Sequence, residues 1–192
     1  MRRPCPETKE NILQEAYRLF LTENLERVTI RDIENATKRT RGALFHYFKD
    51  KQCLFDTIVE DIYFAQIKKS TDTINTPIDF ECFVNEYKNP TEKVIAHIKQ
   101  IDENLNAEKA FLHFTLQANM YYSNFDTVYN EIMEKEYARL SSLLSGAIHY
   151  PSNVDINTMT YLLINGDSNN LFLNAFSAFK PQKCILKLLL QK

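Results

Sequence analysis

Glycine is scarce in this chain, with three among 192 residues, and tryptophan is absent. Sheet sandwiches and barrels turn often, and their turns lean on glycine and on proline, of which there are only six. Gly42, Gly146 and Gly166 lie too far apart to build a phosphate-cradling loop, which excludes the usual nucleotide-binding α/β enzymes. Cys5, Cys53, Cys82 and Cys184 form no C-x-x-C pair, so free thiols in a reducing cytoplasm are expected. No apolar run approaches the roughly 18–20 residues that span a bilayer, so no membrane partner is expected. Met1 to Pro6 is short, basic and broken by proline, unlike a secretory leader.

Catalytic patterns are missing too. No histidine has a glutamate three residues before it, as a di-iron bundle would need, and there is no G-x-S-x-G or H-E-x-x-H. No enzyme activity, metal or other cofactor is expected.

What is present is helical periodicity. Ile12, Leu13, Ala16, Leu19 and Phe20 share one face of a helix over residues 7–23, and Asn24 suits its end. Thr29 can cap a short helix carrying Ile33 and Ala36. After the polar turn Thr37-Lys38-Arg39, Thr40 can cap a second short helix with Leu44 facing inward. Asp50 can cap a long helix carrying Leu54, Phe55, Ile58 and Ile62. Two short helices joined by a tight turn behind a supporting helix make a helix-turn-helix.

Charge is polarised along the chain. Residues 1–51 hold 11 Lys/Arg against 8 Asp/Glu, a net of +3, within a chain whose total is −2. An anionic partner is therefore expected for the first part alone. Further helices are expected near 78–87, 90–105, 107–122, 125–148, 155–178 and from Pro181 to the end. Together they make an all-α fold of about nine to ten helices, with domains at 1–51 and 52–192.

The segment from about Glu7 to Phe55 resembles the DNA-binding domain of the TetR family of bacterial transcriptional regulators. Three blocks carry the likeness: Ile12 to Phe20 (ILQEAYRLF), Val28 to Ile33 (VTIRDI) and Thr40 to Lys51 (TRGALFHYFKDK). Three features depart from the family pattern. The turn reads Thr37-Lys38-Arg39 rather than A-G-V, Asn24 replaces a glycine after the first helix, and Phe45 stands where tyrosine is common.

On that resemblance, double-stranded DNA is the expected partner. Thr29 and Thr40 sit at helix N-termini, where N–H groups favour phosphate. Tyr47 and, by the resemblance, Lys51 are further phosphate candidates. Arg41 and Arg31 can fork onto guanine. Gly42 and Ala43 are small enough to let backbone approach the groove, His46 can meet a base or a phosphate, and Phe45 either packs in the core or contacts the groove. The Arg39 stem is expected to pack between helices, with its head on a phosphate.

The remainder suggests sensing and pairing. Seven aromatics fall within residues 111–137, which can line an apolar cavity for a small effector. Its candidate lining is His97, Phe111, His113, Phe114, Gln117, Tyr121, Tyr129 and Met133. Leu162, Leu163, Leu171, Leu173 and Phe176, with Ile185 to Leu190, load the last two helices with apolar surface. The resemblance implies that these pair with their copies in a homodimer. The alternative left open is a helical interaction protein that has lost specific DNA binding.

Overall fold

The computed structural model describes residues 6–69, 79, 80, 83, 87, 90–150, 152 and 155–164. The described elements are α1 (Pro6–Thr22), α2 (Ile30–Thr37), α3 (Arg41–Tyr47) and α4 (Lys51–Ile58), then a π-helical segment (Val59–Phe64). There follow α5 (Ala65–Lys69), α6 (Pro90–Ile101), α7 (Ala107–Tyr121), α8 (Phe125–Ser145) and a helical stretch over 156–164. Among the described residues the chain is helical with no strand, as expected. Only an isolated bridge joins Asp79 to Ile148. The expected last helix and most of the one before it lie outside the described residues, as does most of the 78–87 helix. No helix of the described residues is long and apolar enough to cross a membrane.

Local chemistry sets the first three helices. α1 buries Ile12, Leu13, Ala16, Tyr17, Phe20 and Leu21, one continuous face. Thr29 and Asp32 form a reciprocal capping box: each side chain accepts the other's backbone N–H, at 3.2 Å and 2.8 Å. α2 ends at Lys38, whose backbone is left-handed (φ 55°). That conformation costs a non-glycine residue roughly 1–2 kcal/mol. Thr40 then caps α3 on the Ala43 N–H, and Asp50 caps α4 on the Cys53 N–H at 2.7 Å. Helix, turn and helix thus follow the expected register.

One apolar cluster runs without a break from α1 through α4, the π segment, α6 and α7 to the first half of α8. Its centre is aromatic. Phe114 of α7 meets Tyr17 edge-on at 4.9 Å, Phe55 at 5.6 Å and Tyr63 at 5.5 Å. Each such ring, fully buried, contributes about 1.5–3 kcal/mol. A second cluster gathers Phe80, Phe83, Leu140, Leu143, Leu144, Met159, Leu163 and Ile164 at the far end of α8. Glu136 lies buried near there, forked onto Arg139 at 2.6 Å and 2.7 Å and accepting from the Tyr87 hydroxyl at 3.0 Å.

Candidate nucleic-acid interface

α3 fully buries Leu44 alone, and Tyr47 packs partly against the main core. Arg41, Phe45 and His46 are exposed, Ala43 and Tyr47 half-buried. Phe45 is 39% exposed. The Arg41 guanidinium lies over its ring, 5.4 Å from the centroid. That contact, worth about 0.5–1 kcal/mol at an exposed site, lays the guanidinium along the outer face of α3. His46 meets Tyr47 edge-on at 5.2 Å.

Cations surround this face. Arg31, Lys38, Arg39 and Lys49 are exposed. Among the described residues, Lys38, Arg39, Arg41 and Lys49 take part in no ion pair. Their charge stands free in solvent, as phosphate recognition requires. Around Gly42 a β-carbon would meet no heavy atom within 4 Å, so nothing inside the chain demands glycine there.

Two candidates, Arg39 and Lys51, are placed otherwise than expected, while Thr29 caps α2 as expected. The Arg39 stem is exposed rather than packed, because the left-handed Lys38 turns the chain outward; its N–H reaches back to the Thr37 hydroxyl at 3.3 Å. At Thr29 the N-terminus of α2 is already occupied by the Asp32 carboxylate, which would repel a phosphate. Hydrogen bonds from the Thr29 hydroxyl and backbone hold that carboxyl below the usual aspartate range. The Lys51 ammonium points inward, donating to the carbonyls of Leu25 at 2.5 Å and Val28 at 2.7 Å, with Glu26 at 3.5 Å. Burial pushes its pKa down, opposed by the Glu26 carboxylate.

The candidate effector residues divide. Phe111 and Phe114 are buried in the main core, where neighbouring rings fill the space that a cavity would need. Gln117 and His113 face the end of α1 rather than a cavity. The Tyr121 hydroxyl lies by Glu26, which raises its pKa, and its carbonyl accepts from Gln52 at 2.9 Å. His97 is half-buried on α6. Among the described residues, Tyr129 and Met133 line a cleft of about 270 Å³, which they share with Pro90, Thr91, Glu134, Tyr137 and Ile164. Burial raises the Tyr129 pKa, and its ring stacks on Phe125 at 5.6 Å. No sequence signal marks this cleft, since α6, α8 and residue 164 come together only in the fold. Among the described residues no group of three or more His, Cys, Asp or Glu could hold a metal.

Residues 12–58 match the family described as bacterial regulatory proteins, tetR family. Over 48 residues the chain is 44% identical to the HTH-type transcriptional repressor AcnR of Corynebacterium efficiens. That match spans 25% of this chain and about a quarter (26%) of that protein's length. The reduced form of E. coli NemR shares the fold over 95% of both chains, with a TM-score of 0.60 at 14% identity. A SmeT–triclosan complex does so over 92% of this chain and 86% of its own, with a TM-score of 0.53 at 18% identity. At such identities the likeness is one of fold.

Proposed function

We propose, from the match of residues 12–58 to the tetR family of bacterial regulatory proteins, that this segment is a DNA-binding domain and that the protein is a ligand-responsive transcriptional repressor. The observation that carries this reading is α3: Thr40-capped, anchored by one buried leucine, and presenting Arg41 and Phe45 outward beneath unpaired cations. On this reading α3 enters the major groove, and phosphate contacts from Lys38, Arg39 and Lys49 set its register. Arg41 forks onto a guanine, a contact worth about 1–3 kcal/mol of discrimination.

The working unit is a homodimer paired through the last two helices. It reads a near-palindromic operator with half-sites about 34–36 Å apart, in the cytoplasm. The effector is small and largely apolar or aromatic, and the cleft bounded by Tyr129, Met133 and Tyr137 suits it. The fold neighbour bound to triclosan supports an effector of that kind. Typical coupling between two such sites is about 1–3 kcal/mol.

Selection from random duplex DNA, followed by binding titrations at fixed salt, tests the reading. A preferred inverted repeat is expected, and Arg41→Ala should relax selection at one position of each half-site. Absence of any preference over random duplex at low salt would sink it and favour a protein-interaction role instead.

A further inference from the structure

We propose that Gln117 of α7, braced by His113, is a positioning residue that fixes the angle at which the DNA-reading helices are held; this rests on the DNA-binding reading above. Gln117 is only 3% exposed. Its Oε1 accepts from the Leu25 N–H at 2.6 Å, and its Nε2 donates to the Phe20 carbonyl at 2.9 Å. Those two groups belong to the last turn of α1 and the loop leading to α2. One amide from α7 therefore closes the end of a helix about 90 residues away.

The bracing is matched group by group. Gln117 Nε2 also faces His113 Nδ1 at 3.1 Å, and His113 Nε2 faces Asn24 Oδ1 at 3.1 Å. Since the amide nitrogen can only donate, His113 carries its proton on Nε2 and donates it to Asn24. Every donor then meets an acceptor. Lys51 completes the arrangement from the other side, because its ammonium takes the Leu25 carbonyl. The Leu25 residue is thus held at its N–H by α7 and at its carbonyl by α4.

Cohesion alone does not call for this amide. α1 and α7 already adhere through the Tyr17–Phe114 contact, and both pack on Phe55. Apolar contact tolerates sliding and tilting. A primary amide does not, because one end only accepts and the other only donates, and a buried mismatch leaves both ends unsatisfied. What Gln117 adds is register. On a two-half-site operator, register decides which spacing the paired α3 helices can reach.

The test is selection by the full-length protein from a DNA library that carries the preferred half-site in pairs at graded spacings. Wild type is expected to favour one spacing by about tenfold or more, within the usual range of coupling between sites. Gln117→Leu, close in volume, should select the same half-site but discriminate among neighbouring spacings by less than about threefold. Gln117→Glu keeps the acceptor for Leu25, loses the donor and should fall between the two.

Wild-type spacing selectivity in the folded leucine variant would overturn the inference. If wild type selects no paired half-sites, the DNA reading itself has failed, which is a different result. Should the leucine variant not fold, amide exchange in wild type decides: the Leu25 N–H should be protected like the core amides of α7. Exchange at the rate of an open loop overturns the proposal.

Discussion

The Lys51 ammonium donates to the Val28 carbonyl at 2.7 Å, tying the start of α4 to the loop before α2. A lysine engaged on carbonyls has few protons left for phosphate. Lys51→Met should cost about 1.5–3 kcal/mol of stability, the range for hydrogen bonds to a charged group. The salt dependence of operator binding should barely change. A fall of about one in the slope of log affinity against log salt would show that Lys51 contacts phosphate after all.

Gly42 has open space where a β-carbon would stand. Gly42→Ala should therefore stabilise α3, by up to about 1 kcal/mol from helix propensity. Operator affinity should nevertheless drop, because the added methyl group stands between the backbone and the groove floor. Thermal melts and anisotropy titrations on one preparation separate the effects. A variant both more stable and equally tight would show that α3 does not approach DNA at Gly42.

The capping box makes α2 sensitive to acid. The pKa of Asp32 is depressed in the folded chain, so its contribution is fully present above the unfolded value and is lost as pH falls through the folded one. Asp32→Asn should unfold at lower urea than wild type at pH 7, and the gap should narrow towards pH 3. A gap independent of pH would exclude the carboxylate as its source.

Glu136 is 1% exposed and depends on Arg139 and Tyr87 for its hydrogen bonds. Arg139→Met strands a buried charge and should cost about 3–5 kcal/mol. Replacing both Glu136 and Arg139 with methionine should recover much of that loss. Denaturant midpoints for the two single variants and the double variant form the cycle that checks it. A double variant as unstable as Arg139→Met alone would contradict this account.

Local features were legible in the chain because their causes lie within four residues. Thr29, Thr40 and Asp50 each bond a backbone N–H three positions on, and Lys38 takes the left-handed conformation that a tight turn between two helices requires. The roles of Lys51 and Gln117 are not legible in the sequence, because their partners lie 23 to 97 residues away. An inward lysine and an outward one read alike in a sequence. The aromatic run over 111–137 was equally ambiguous, since rings that interdigitate fill a core and rings that do not leave a cavity. Phe111 and Phe114 took the first course, and Tyr129 lines the cleft.

Residues 51–69 form one unbroken helical rod, yet Val59–Phe64 within it is wound as a π-helix. An α-helix advances by about 100° per residue, and a π turn takes in one residue more than an α turn. The buried face is therefore numbered differently on the two sides of the π segment, α4 meeting α1 and α5 meeting α6. Loss of a single residue from Val59–Phe64 would let the segment rewind as α-helix, with Ile67 still facing the core it now fills. Chain length across this stretch can thus shrink by one residue without rotating the later half of the rod against the first.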